Sequence, residues 1–477
     1  MKKLIIFTSI TSLMVVTYLF ILFGHNKLSV IKNLFSSEQK HWIKSNFFPH
    51  KIATDLKNDL FDLNNMKLVE SYKLNNLIFM NDKLKENIIK TELAEKDNLN
   101  DIVFSNLSEV PLNDKFKQLT LLKFKNTGQI TYGINNMFPG SGYIDIFKDQ
   151  IWFLSSRGIL GYENINNDEI VFKQIKNNLD DFLNINHFDS NWYSFKDLTI
   201  FDNKIFISFT DEILEDCWNT SVVFADLDYS FINFNYLFKS NECVHSKNNI
   251  DKEFNAHQSG GRIINIENNQ ILLSIGDYRS RHLAQNTNSV NGKIIKINII
   301  DKSFEIFSMG HRNPQGLYFD KNRKFILETE HGPYGGDEIN IINLRNNKIP
   351  NYGWAIASYG EHYGKDKSKI KPSIINKYAK YPLYKSHKDH GFIEPIIYFH
   401  KGISEITKIN NEIYIASSLG TKELIFFKIK KNNSIKVIEE VKIYERIRDI
   451  NFYDNQLYLF LEDTPSIGII NLNKFKI

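Results

Sequence analysis

The residues able to do chemistry concentrate between Met309 and Trp354, MGHRNPQGLYFDKNRKFILETEHGPYGGDEINIINLRNNKIPNYGW. Arg312 and Asn313 set a guanidinium beside an amide, a pair that stabilises negative charge developing on oxygen. The bland alternative is an Arg-capped turn before Pro314. Gly332 and Pro333 offer backbone carbonyls, hard oxygen ligands of the kind calcium takes. Asp337 and Glu338 follow on a Gly-rich loop, where they either bind a second cation or fix the loop. Outside this stretch, His257 sits in HQSGGRI before a glycine pair. An imidazole titrating near neutrality can take a hydroxyl proton while a hydride leaves the same carbon; a surface or capping histidine is the alternative. Arg446 and Arg448 flank Ile447 on a predicted strand and so point to one face, suiting a di- or trianionic ligand. Without further support that strand reads as an exposed basic edge.

Such residues need rigid elements beneath their loops. One local pattern recurs from about residue 115 onward: an apolar strand, a turn holding Asn, Asp or Lys, and a second strand. Copies are YIDIFKDQIWFLS, LTIFDNKIFISF, IINIENNQILLSI, GLYFDKNRKFILET, ITKINNEIYIASS and INFYDNQLYLFLE. Asn and Asp accept the positive φ that tight hairpins demand. The turn markers Asp149, Asn203, Asn269, Asn322, Asn411 and Asn455 stand 54, 66, 53, 89 and 44 residues apart. Units of that size fit four-stranded blades, and six copies predict an all-β, six-bladed β-propeller. A large β-sandwich would not predict a repeated hairpin at this spacing.

The chain has 477 residues, 59 basic against 55 acidic, with 42% hydrophobic residues. That excludes global disorder and gives no sign of a nucleic-acid partner. Lys2 and Lys3 precede an apolar run from Leu4 to Phe23, long enough at about 1.5 Å per residue to span a bilayer core. With no small-residue cleavage pattern after it, residues 1–24 read as an uncleaved signal anchor in preference to a cleaved peptide. This makes the protein a single-pass cell-membrane protein with its propeller in the periplasm or extracytoplasmic space. Residues 25–114 read as a short, partly helical stalk or cap, and 115–477 as the propeller. The two cysteines, Cys217 and Cys243, bracket a strand–turn–strand pattern; a disulfide and two free thiols both remain open, and their spacing excludes a zinc site.

GHRNPQGL, EHGPYGGDEIN and NYGW stand beside HQSGGRI, IGD, NGKIIKI, EPIIYF and RIRDI, the core of a resemblance that runs in collinear order over roughly residues 135 to 472. In these motifs the chain resembles the soluble glucose/sorbosone (aldose sugar) dehydrogenases that use pyrroloquinoline quinone (PQQ). The resemblance implies a six-bladed propeller, in agreement with the repeat count. It also implies oxidation of an aldose at C1 to the lactone, with His257 as base and hydride passing to PQQ. Arg312 and Asn313 would contact the quinone, Arg446 and Arg448 its carboxylates, and the Gly332 and Pro333 carbonyls would hold Ca2+, with Asp337 and Glu338 as further candidates. A sugar substrate and a respiratory electron acceptor are the implied partners. The family's lysine after a Ser-Leu pair is replaced here by Gly420, with Lys422 two positions on as its substitute. Departures of this kind support a second reading, a cofactor-free propeller that binds sugars or another protein. A third, a calcium-dependent hydrolase or lactonase, lacks a visible acidic cluster drawn from several blades.

Overall fold

The computed structural model describes residues 58–70, 90, 93–94, 96–115, 119–126, 141–165, 169–188, 190–267, 269–361 and 382–473. Residues 58–70 are helical. Among the described residues the chain from Ile102 onward is mostly strand, arranged as six blades of four strands each; blades 1 and 6 are joined through one further strand into a nine-stranded sheet, blade 2 carries a short fifth strand, and the innermost strands neighbour one another in a ring. The fold is all-β and propeller-like. Those innermost strands are Gly142–Phe147, Phe195–Phe201, Gly260–Glu267, Pro314–Asp320, Ile403–Lys408 and Ile447–Tyr453, taken below as blades 1 to 6.

The recurring hairpins of the sequence are the two inner strands of each blade. In blade 1, Phe147 pairs with Gln150 across Lys148 and Asp149, both at positive φ. Asp202-Asn203 and Asp454-Asn455 make the same turn in blades 2 and 6. Two positive-φ residues in a two-residue loop define the type I′ turn, whose twist matches that of paired strands. Asn322 and Asn411 lie in longer loops, joining Asp320 to Phe325 and Lys408 to Tyr414.

Apolar residues lie on both faces of the inner strands, so the core is distributed between neighbouring blades. Trp152, Leu198, Ile207 and Phe209 pack between blades 1 and 2; Leu424, Phe426, Ile450 and Leu459 pack between blades 5 and 6. Each such side chain contributes roughly 1.5–3 kcal/mol by leaving water. The ring closes by strand exchange. Thr120–Asn126 pairs with Ser466–Asn471 as the outer strand of blade 6, and Ile102–Pro111 bridges it to Ile170–Gln174 of blade 1. The sheet therefore begins ahead of residue 115, within the segment read as a stalk.

Cys217 and Cys243 form a disulfide, with their Cα atoms 5.3 Å apart. It ties the third strand of blade 2 to the residue preceding Val244–His245, a short strand that pairs with that same third strand. Among the described residues no helix is long and apolar enough to cross a membrane; the anchor expected at 1–24 lies outside them.

Candidate active site

At one end of the ring all six blades contribute to a cavity of about 150 Å³. Its wall includes Tyr143, Lys196, His257, Asn313, Gln315, His331, Leu419, Arg446, Arg448 and Glu462. Four of the residues singled out from sequence thus meet at one place: His257, Asn313, Arg446 and Arg448.

His257 lies in a short 3-10 turn, Ala256–Gln258, opened by Asn255, whose side chain accepts the His257 backbone N–H at 2.8 Å. That turn leads into the glycine pair starting the inner strand of blade 3. Behind it, a Cβ at Gly276 would collide with the Gln258 carbonyl, so only glycine lets the two loops approach. Burial, reinforced by Lys196, Arg448 and Arg279, pushes His257 down to about 3, leaving a neutral imidazole with a lone pair at pH 7.

Arg448 lies on the inner strand of blade 6 and Arg446 just ahead of it, and both meet Glu462, which stands between them. Its two oxygens accept from Arg448 Nε (2.6 Å) and Arg446 Nε (2.9 Å). Burial alone would raise Glu462, but Arg448 and Arg446 outweigh it and hold the carboxyl at about 2. Arg448 also donates to Gln315 Oε1 at 3.1 Å. Asn313 Oδ1 accepts from the Gly260 N–H (3.1 Å) and from Gln315 Nε2 (3.0 Å), linking blades 3 and 4 under the cavity.

Three wall residues were not singled out from the sequence, although His331 stands within EHGPYGGDEIN. Lys196 comes from the inner strand of blade 2; burial, then Arg448 and Arg157, lower its ammonium to about 7. His331 has a buried Nε2 without a hydrogen-bond partner, and burial lowers it to about 4. Tyr143 enters from blade 1. Each stands singly on a strand or loop end, and only the blade order brings them together.

The remaining candidates lie elsewhere. Arg312 is held by the loop that follows the second strand of blade 4, donating from Nη1 to the carbonyls of His331 and Gly332, both at 2.8 Å, and stacking on Trp354 at 5.5 Å. The Pro333 carbonyl accepts the Gly336 N–H at 2.8 Å. A Cβ at Gly332 would strike the Gly336 carbonyl, which makes glycine a requirement of this turn. Asp337 is occupied by backbone: Oδ1 accepts from Gly332 N (3.2 Å), Oδ2 from Lys401 N (2.8 Å) and Gly402 N (2.6 Å). Glu338 Oε1 faces His387 Nε2 at 3.3 Å, and burial raises its carboxyl to about 7.

Lys422 does not reach the cavity. Its ammonium pairs with Asp463 at 2.8 Å. Gly420, at the family's lysine position, lies against the Lys401 carbonyl, where any Cβ would collide. Leu419 fills the wall there instead.

The glucose/sorbosone dehydrogenase family model matches residues 201–470. Aldose sugar dehydrogenase YliI of Escherichia coli is 27% identical over 223 residues, 43% of this chain. Quinoprotein glucose dehydrogenase B of Acinetobacter calcoaceticus is 35% identical over 139 residues, 23% of this chain. The chain spans 57% and 28% of those relatives' own lengths. The crystal structure of the soluble aldose sugar dehydrogenase of Escherichia coli in its apo-form superposes with a TM-score of 0.53 at 19% identity, covering 70% of this chain and 95% of that one. A solved glucose dehydrogenase gives 0.54 at 19% identity, covering 69% and 95%. At that identity the structures share the fold, while the family match takes in more than half of the chain and includes His257, Arg312, Asn313 and the Arg446–Arg448 strand. The chain belongs to the glucose/sorbosone dehydrogenase family.

Proposed function

We propose that the protein is a PQQ-dependent sugar dehydrogenase that oxidises an aldose at C1 to the lactone. The observation that carries this reading is the convergence of neutral His257 with Lys196, Arg446 and Arg448 around one axial cavity. Three basic side chains against the single carboxylate of Glu462 suit a polyanion such as PQQ, with its three carboxylates. The unpartnered Nε2 of His331 is a further polar atom that a ligand there would satisfy.

When bound, PQQ supplies the two-electron acceptor for the hydride leaving C1. His257 takes the C1 hydroxyl proton on its ring nitrogen and later releases it to solvent. Its basicity depends on its neighbours: an anionic ligand that neutralises Lys196 and Arg448 raises His257 from its low value toward the range useful for proton transfer. Arg446 and Arg448, held by Glu462, orient the ligand's carboxylates. Asn313 donates from its amide, and Arg312 positions the 331–332 loop by gripping its carbonyls. Calcium at Gly332 and Pro333 is a poorer match: the Gly332 carbonyl carries the Arg312 guanidinium, the Pro333 carbonyl accepts the Gly336 N–H, and both Asp337 oxygens already accept backbone N–H groups. As arranged the pair does not fit the ion.

We further place the propeller outside the cytoplasm, anchored by residues 1–24 and passing electrons to a respiratory acceptor. The Cys217–Cys243 disulfide supports an oxidising compartment. The test is PQQ binding by absorbance, followed by dye reduction with a panel of aldoses. His257→Ala should abolish turnover with PQQ still bound, and retained turnover removes His257 from its role. A cofactor-free sugar-binding propeller is the second reading, favoured by the Lys422–Asp463 pair and the packed Gly420. Sugar binding by calorimetry without PQQ binding at micromolar concentration would establish it instead.

A further inference from the structure

Behind the cavity, blade 4 contains a second cluster that the reaction does not use. Glu328 and Glu330 alternate on the strand Phe325–Glu330 and face one side; the register places Asn340 opposite Glu328 and Glu338 opposite Glu330. His311 approaches from the preceding loop. One ligating atom from each of His311, Glu328 and Glu330 lies within 4.8 Å of the others, and all three residues are buried, at 0%, 0% and 3% exposure.

We propose that His311, Glu328 and Glu330 form a closed site for a first-row divalent cation of the zinc or manganese class. The surroundings are those of a prepared ligand set. Ser308 Oγ holds His311 Nε2 at 2.8 Å, leaving Nδ1 to face Glu330 Oε2 at 3.3 Å. Tyr352 stacks on the imidazole at 5.0 Å and fixes its plane. Asn340 Nδ2 donates to Glu328 Oε2 at 2.9 Å, and the Arg312 backbone N–H donates to Glu330 Oε2 at 3.1 Å. Outer partners of this kind orient metal ligands and set the imidazole tautomer.

The independent observation is what these partners leave undone. Glu328 Oε1 is fully buried with no hydrogen-bond partner, and so are Asn340 Oδ1 and Glu338 Oε2 beside it. An unsatisfied carboxylate oxygen in a dry interior is costly. His387 answers Glu338 at 3.3 Å. A divalent ion among His311, Glu328 and Glu330 satisfies the unmet oxygen. An imidazole with carboxylates selects zinc or manganese over calcium, which prefers oxygen alone. Glu330 ends its strand and His331 follows it, so a metal held there would stiffen the strand end that carries the cavity loop.

The test uses the full chain without added PQQ, so its outcome is separate from that of the dehydrogenase reading. Protein stripped with chelator is titrated with Zn2+ or Mn2+ alone, followed by calorimetry, elemental analysis and thermal melting. Expected are one equivalent bound and a rise in Tm, both lost in Glu328→Gln, with affinity down more than roughly a hundredfold, and both kept in Glu338→Gln. No uptake by the wild type, or uptake unchanged in Glu328→Gln, overturns the site and leaves a carboxylate cluster that shares protons. Should Glu328→Gln fail to fold, Co2+ is titrated into wild type and His311→Ala: intense d–d bands of low-coordinate Co2+ seen in wild type and lost in His311→Ala support the site, and identical spectra refute it.

Discussion

Glu462→Gln should move stability and ligand affinity in opposite directions. The carboxylate is buried between Arg446 and Arg448 and held at about 2, against 4.5 for an ordinary glutamate. That difference corresponds to roughly 3 kcal/mol of folding free energy at neutral pH, at about 1.4 kcal/mol per pKa unit. The sign follows from the depressed value: the contribution is complete above the unfolded pKa and is lost as pH falls from about 4.5 toward 2. A neutral glutamine keeps the shape and removes the charge, so Tm should fall by about 4 °C, given about 2.1 cal/mol/K per residue over roughly 370 propeller residues. The same change removes the only carboxylate of a cavity wall whose other charged groups are basic. A trianionic ligand should then bind roughly tenfold more tightly, a modest Coulomb gain at a partly solvated site. Melting by fluorescence with and without PQQ reads both effects. Their joint signature is a lower Tm for the free protein and a larger ligand-induced rise. A variant that melts with wild type and binds PQQ no better would refute the assignment of Glu462 as the counter-charge of an anion cradle.

Three further outcomes follow from the same charges and covalent links. Lys196, lowered to about 7 by burial and then Arg448, loses its charge as pH rises through neutrality; PQQ affinity in wild type should therefore fall several-fold from pH 6 to 8, and Lys196→Met should bind more weakly with that pH step removed. Breaking Cys217–Cys243 by alanine substitution frees a 26-residue separation in the unfolded chain and should cost about 3.5 kcal/mol by urea unfolding; a loss under 1 kcal/mol would contradict the loop-entropy account. Arg262→Met should destabilise by roughly 3–5 kcal/mol at pH 8 and less near pH 5, where protonation relieves the carboxylates it leaves behind; equal losses at both pH values would show that charge is not the cause.

Local chemistry was legible in the sequence where it is written locally. The Lys-Asp and Asp-Asn pairs at 148–149, 202–203 and 454–455 announce tight turns because those residues tolerate positive φ, and the structure places them there. His257, Asn313, Arg446 and Arg448 stand in short motifs and meet at the cavity. What escaped depends on closure of the ring. Lys196 and Tyr143 are single residues in apolar strands. Glu462 follows the second strand of blade 6, and its pairing with both arginines is invisible until that hairpin forms. Ile102–Pro111 carries no turn punctuation that would mark it as part of the sheet. Lys422 was a reasonable substitute by proximity in sequence, but the contact of Gly420 with the Lys401 carbonyl sets a tight turn there, and Lys422 pairs with Asp463.

The axis below the cavity bears on which chemistry the propeller supports. Asp197, Glu405 and Asp449, from the inner strands of blades 2, 5 and 6, converge there, so an acidic cluster drawn from several blades does exist although the sequence did not reveal it. Its cation is the protein's own. Arg262, from blade 3, donates from Nη1 to Asp197 at 2.7 Å and to Asp449 at 3.0 Å, and its Nε pairs with Glu405. A guanidinium spends its fixed fork of donors on these acids and cannot leave as a solvated ion would. Asp449 is held further by the Ile144 N–H at 2.9 Å, and Asp197 by the Ile263 N–H at 2.7 Å. These carboxylates are thus committed to joining blades. A hydrolase that activates water on an axial metal needs such acids facing an open position, and here they face an arginine. The groups left to act on a substrate are those one layer above: an imidazole without its proton, beside cations that attract an anion. That arrangement suits removal of a proton beside an anionic hydride acceptor.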